Sequence, residues 1–117
     1  MKLRLHNDSV RLRLSQSEIT ELSQSGRVEN TLSFSPGPSL TYAIETAPVA
    51  EVTATFEGNR LSVVLPAAVA RHWIETEEVG VESSGSIPRV LVEKDFQCLH
   101  RASDEDADGF PNPLAPR

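Results

Sequence analysis

The sequence predicts an α+β fold that is mainly β: an antiparallel sheet of about eight strands, left open or curled towards a barrel, with two short helices against it. Three observations lead there. Short runs of alternating apolar and polar residues recur along most of the chain, which is the period of a half-buried strand. Two-residue turn signals join two pairs of these runs, and a helix-start signal follows each pair.

The first pair is plain. Leu3 and Leu5 alternate with Lys2, Arg4 and His6; beyond Asn7-Asp8, Val10, Leu12 and Leu14 alternate with Arg11 and Arg13. A two-residue loop sets Leu5 opposite Val10 and Leu3 opposite Leu12, so one face of the hairpin is wholly apolar. Ser15 stands three residues before Glu18, the capping-box spacing in which each side chain satisfies the other's free backbone N–H. A short helix follows, with Ile19 and Leu22 inward and Gly26 ending it. Strands are expected at 28–34 and 40–45, joined by "SPGPS".

The second half repeats the plan. Val52, Ala54 and Phe56 alternate with Thr53, Thr55 and Glu57; Gly58-Asn59 turns the chain; Leu61, Val63 and Leu65 return. Pro66, which has no N–H to leave unsatisfied, suits the first position of a helix over 67–74, with Trp73 inward and His72 exposed. The last strands are expected at 79–82 and 89–93, bridged by "SSGSIP". With a shift of 51 residues, Leu3, Leu5, Val10, Leu12 and Leu14 fall on Ala54, Phe56, Leu61, Val63 and Leu65, and Ile19, Leu22 and Val28 on Ala70, Trp73 and Val79. The halves match as one ββαββ unit used twice.

A chain of 117 residues is enough for one ordinary domain. Residues 1–101 carry the apolar pattern, and 102–117 read as an acidic, proline-rich C-terminal tail. The formal charge of −6 disfavours nucleic acid and anionic lipid as partners. "MKLRLHND" lacks the apolar core of a signal peptide and no stretch approaches a membrane span, so a cytoplasmic protein is expected. Cys98 is the only cysteine and forms no internal disulfide, which fits a reducing compartment and the role of a small buried hydrophobe.

Three groups of residues carry possible chemistry. The first is the stretch "EKDFQCLHRASDEDADGFPNP". Asp104, Asp106, Asp108 and Gly109 match the opening of a calcium loop, where alternate carboxylates converge on a hard cation. The match then fails, because Ala115 stands where the bidentate glutamate belongs and Pro111 and Pro113 stiffen the wrap. The second is Cys98 and His100 in the same stretch, which with Asp95, His72 or His6 form a candidate set for a softer metal ion. Zinc, however, favours two close ligand pairs and here there is one. The third is the basic face of the first hairpin. The turn sets Arg4 opposite Arg11 and Lys2 opposite Arg13, and like charges so placed destabilise a sheet. An acidic group is expected over Lys2, Arg4, Arg11 and Arg13: the chain's own tail, an external anion or an acidic partner. Within the tail, Phe110 is the one residue able to anchor it or to contact a partner. No phosphate-binding glycine loop and no nucleophile with an assignable base is visible.

"VRLRLSQSE" near the start and "EKDFQCLH…FPNP" near the end resemble a family of small bacterial proteins, a domain of unknown function of about this length. The resemblance spans nearly the whole chain and implies a stand-alone intracellular bacterial protein; it carries over no activity, cofactor or functional residue. The expected function is therefore a non-enzymatic binding or protein-interaction module with a protein partner. The rival is a metal-dependent, hydrolytic protein built on Cys98, His100 and the nearby acids. A third reading is an anionic-ligand binder on the basic hairpin.

Overall fold

The first hairpin forms in the register the sequence expects. In a computed structural model, which describes residues 1–96 and residue 110, β1 (Lys2–His6) and β2 (Ser9–Leu14) pair with Leu5 opposite Val10 and Leu3 opposite Leu12. Asn7 takes the positive φ, 49°, that such a tight turn requires. The chain continues through α1 (Gln16–Ser25), β3 (Arg27–Ser33), β4 (Ser39–Ala47), β5 (Thr53–Glu57), β6 (Arg60–Pro66), α2 (Ala67–Glu75), β7 (Gly80–Glu82) and β8 (Arg89–Lys94). Eight strands and two helices agree with the sequence. Pro66 does not open α2 but closes β6 and precedes the helix as its cap residue.

The single antiparallel sheet is corrected. The strands form two four-stranded mixed sheets, ordered β1-β2-β8-β7 and β3-β4-β6-β5, and neither closes into a barrel. In the first sheet β2 runs parallel to β8, and in the second β4 runs parallel to β6. Alternation reveals which face of a strand is apolar but not which distant strand lies beside it, so these two parallel pairings leave no local signal.

Each sheet thus combines one hairpin from each half of the chain. Leu12 lies between Leu3 and Val92, with Val81 beyond; Val63 lies between Ala54 and Ile44, with Val28 beyond. The shift of 51 residues holds for both first hairpins and their turns. It holds on into the helices, where Leu22 and Trp73 are both buried and Ile19 and Ala70 both meet the core, and it breaks before the next strand, because the counterpart of Val28 is Val81 and not Val79. Val79 instead takes the place of Gly26: Thr46 N donates to Gly26 O at 3.0 Å, and Lys94 N donates to Val79 O at 3.0 Å. The reason lies in the helix ends. α1 stops on Gly26 in the left-handed region, φ 76°, directly before its strand, whereas α2 stops on an extended Thr76 and needs residues 77–79 to reach its strand.

The inner faces of both sheets and both helices share one core. Val10, Leu12, Leu14, Val90 and Val92 of the first sheet meet Val28, Ile44, Leu61, Val63 and Leu65 of the second, with Leu22, Ala70 and Trp73 from the helices. Trp73 is buried with its Nε1 donating to Val79 O at 3.1 Å, and His72 is exposed, as the helical spacing predicts. Among the described residues no helix is long and apolar enough to cross a membrane.

The capping box also forms: Ser15 N donates to Glu18 Oε1 at 2.9 Å and Glu18 N to Ser15 Oγ at 3.4 Å. The second carboxylate oxygen binds the Met1 ammonium. Burial alone would raise the Glu18 pKa, but the hydrogen bonds from Met1 and Ser15 and the ammonium charge outweigh it and hold the carboxyl below its ordinary value.

Leu12→Ala should lower unfolding free energy in urea by about 2–5 kcal/mol through an interior cavity, whereas Leu5→Ala should cost less than about 1 kcal/mol, since Leu5 is 62% exposed. Because the folded Glu18 pKa is depressed, its stabilisation is present above the ordinary value of 4.5 and is lost as pH falls through the folded value. Glu18→Gln should accordingly flatten the acid limb of a stability-against-pH curve; an unchanged limb would show that the Met1 contact contributes nothing.

Candidate functional site

Strands β1, β2, β8 and β7 turn one set of alternate side chains into the core and the other outward. The inward set is aliphatic; the outward set is charged. It falls into three rows across the first sheet. Lys2, Arg13, Glu93 and Gly80 form one row; Arg4, Arg11, Leu91 and Glu82 the next; His6, Ser9 and Arg89 the last. The expected pairs, Arg4 opposite Arg11 and Lys2 opposite Arg13, are both present.

Part of the counter-charge comes from β8. Glu93 Oε1 lies 3.3 Å from Arg11 Nε and 3.4 Å from Arg13 Nε, and Asp95 Oδ2 lies 2.8 Å from Lys2 Nζ. Hydrogen bonding and charge from Lys2 hold the Asp95 carboxyl below its ordinary value. Gly80 lets β7 approach closely here, since a Cβ at that position would stand 2.7 Å from Val92 O.

The second and third rows enclose a cavity of about 310 Å³ lined by Arg4, His6, Ser9, Val10, Arg11, Glu82, Arg89 and Leu91. Leu91 and Val10 are its apolar lining residues. Glu82 Oε1 accepts from Arg89 Nε at 3.1 Å and also from its Nη2. Ser9 Oγ donates to His6 O at 2.6 Å, and Arg89 N donates to Asp8 O at 2.8 Å, which fixes the start of β8 against the first turn. Guanidinium groups present paired N–H donors in a plane, the geometry that grips a carboxylate or phosphate.

Three cavity residues, Glu82, Arg89 and Leu91, do not follow from the first hairpin. Alternation with Val90 and Val92 does place Arg89 and Leu91 outward, but only the β2–β8 pairing brings them beside Ser9 and Arg11. The structure therefore splits the sequence's basic set. Arg4 and Arg11 line the cavity, Arg11 also against Glu93, while Lys2 and Arg13 lie in the adjoining row against Asp95 and Glu93.

The matching face of the second sheet is different. Its corresponding rows read Thr55, Ser62, Ala43, Glu29 and Glu57, Arg60, Thr41. Thr55 thus stands where the first sheet has Arg4, Ser62 for Arg11, Glu57 for His6 and Thr41 for Arg89. Here Glu29 accepts from Arg60 Nη2 at 2.8 Å and Arg27 Nη2 at 2.5 Å, and those bonds keep its carboxyl below the ordinary value.

Of the metal candidates, Cys98, His100, Asp104, Asp106 and Asp108 lie outside the described residues, and Asp95 is held by Lys2. Among the described residues no three or more His, Cys, Asp or Glu side chains gather as a metal would need. Phe110 is 99% exposed.

Residues 1–114 match the model of a family of unknown function, DUF7009. No curated protein and no solved structure matches the chain.

An NMR titration should find the Asp95 carboxyl below the ordinary Asp value, and Lys2→Met should return it towards that value. The stabilisation carried by this pair is present above the unfolded pKa and lost as acid protonates Asp95. An Asp95 titration indifferent to Lys2→Met would disprove the assignment.

Proposed function

We propose that the chain, which belongs to the DUF7009 family of unknown function, is a non-enzymatic binding module that holds an anionic group, a carboxylate or an oxyanion, in the cavity on the outer face of its first sheet. The contrast between the two matched sheets carries this reading. If the halves are two uses of one ββαββ unit, the fold accepts Thr55 opposite Ser62 at the place where the first sheet sets Arg4 opposite Arg11. Folding alone does not require those arginines. A like-charged pair directly across two strands costs stability, and beside the contact of Glu93 with Arg11 its presence has room for a second reason.

An anion supplies one. Arg4, Arg11 and Arg89 converge on a concave surface with a serine hydroxyl and an imidazole at its rim, in a chain whose formal charge is −6. Such convergence in an acidic protein concentrates positive potential at one place, which attracts and orients an acidic partner. Lys2 and Arg13, already bridged to Asp95 and Glu93, frame the cavity and add to its field. Phe110, exposed, is available as an apolar contact for the same partner.

The test copies the second sheet onto the first. Titration with succinate or inorganic phosphate should shift backbone amide resonances within β1, β2, β7 and β8. The double variant Arg4→Thr, Arg11→Ser should abolish those shifts while changing stability by no more than about 0.5 kcal/mol. Shifts that survive the double variant, or that scatter evenly over both sheets, would refute the cavity as the site.

A further inference from the structure

The first strand of each matched hairpin lies at the edge of its sheet, and the two edges differ in what they carry. β1 turns Lys2, Arg4 and His6 outward, and charges of this kind keep a strand edge from pairing with another chain. The matched positions of β5 are Thr53, Thr55 and Glu57, and the strand contains neither a basic residue nor a proline. Among the described residues nothing pairs with β5 on the side away from β6. Phe56, although it belongs to the inward-facing set, is 63% exposed there. The other two edges are less open: β7 has three residues, and β3 carries the ion-paired Arg27 and Glu29.

The turn after β5 decides which backbone groups point to that edge. Gly58 and Asn59 both have positive φ, 55° and 60°, the type I′ pattern, so Glu57 and Arg60 exchange both of their backbone hydrogen bonds across the turn. The exchange recurs at every second pair, Thr55 with Ser62 and Thr53 with Val64. The N–H and C=O groups of Ala54 and Phe56 are consequently the ones aimed outward.

We propose that two copies of this chain pair along β5, antiparallel and about a twofold axis at Thr55, so that their second sheets continue as one. Ala54 of each copy then exchanges hydrogen bonds with Phe56 of the other, and the large ring faces the small methyl group. Thr55 meets Thr55 and Thr53 meets Glu57, so no like charges are opposed and all five strand residues are paired. A slip of two residues either sets Glu57 against Glu51 or sets Ala54 against Gly58 in the turn. The same arrangement on β1 would oppose Arg4 to Arg4 and Lys2 to His6, which costs stability. The seam belongs to the second sheet and the cavity to the first, so the dimer is independent of the anion-binding reading.

Sedimentation equilibrium of the full chain over micromolar to millimolar concentrations should show a reversible monomer–dimer equilibrium. Thr55→Lys, which places a cation where β1 has Arg4, should weaken the dimer about fivefold. Its circular dichroism spectrum should be unchanged, since Thr55 is exposed. Cross-linking under mild oxidation, in a Cys98→Ser background, reports the register. Thr55 meets its copy as a non-hydrogen-bonded pair, whose Cα atoms stand about 4.5 Å apart, within reach of a disulfide. Thr55→Cys should therefore give a covalent dimer, whereas Thr53→Cys and Glu57→Cys should each stay unlinked alone and link when mixed. A chain that is monomeric throughout the range would overturn the inference. So would a dimer indifferent to Thr55→Lys, or a Thr53→Cys variant that links to itself as readily as Thr55→Cys.

Discussion

The structure depends on two parallel strand pairings, β2 beside β8 and β4 beside β6. A two-stranded hairpin is marginal in water, because half its apolar face lies at an edge. Here neither half of the chain completes a sheet by itself. The hairpin β1-β2 ends in the row of Val10, Leu12 and Leu14, which finds its continuation in Val90 and Val92 from the other half. The hairpin β5-β6 likewise needs Tyr42 and Ile44 beside Leu61 and Val63. The halves are interlocked through their central strands, and the helices cover a core that belongs to both.

The same pairing assembles the candidate site. Without β8 beside β2, Glu93 would not stand against Arg11 and Arg13, and Arg89 would not join Arg4 and Arg11 in lining one cavity. One long-range contact therefore produces both the core of the first sheet and the charge pattern on its outer face. That face combines five formal cations, Lys2, Arg4, Arg11, Arg13 and Arg89, with three acids, Glu82, Glu93 and Asp95. On the corresponding face of the second sheet, Arg27 and Arg60 stand with Glu29, Glu45 and Glu57. Two surfaces of the same architecture carry opposite balances of charge, which shows that the backbone does not dictate either.

Local chemistry is legible in residue order wherever one short segment holds all of the information. The turn at Asn7-Asp8 sets the register of β1 and β2, so the opposition of Arg4 and Arg11 follows from the hairpin's residues alone. Ser15 and Glu18 mark the start of α1, and Gly26 its end. The shift of 51 residues identifies matching hairpins. It fails at Val79 because helix ends obey local geometry: a glycine closes α1 at once, while Thr76 leaves residues 77–79 to be spent before β7.

Residue order is sufficient for the two-residue periodicity of the strands, the identity of the inward residues, the helix starts and the basic face of the first hairpin. Each of these follows from contacts between residues a few positions apart. Long-range packing is needed for the rest: that there are two mixed sheets and not one antiparallel sheet, that Lys2 and Arg13 are met by Asp95 and Glu93, and that Arg89 and Glu82 complete the cavity. An alternating strand exposes hydrogen-bonding edges that accept any partner of suitable pattern, and the choice among β4, β6 and β8 rests on how the whole set of apolar faces can be buried together.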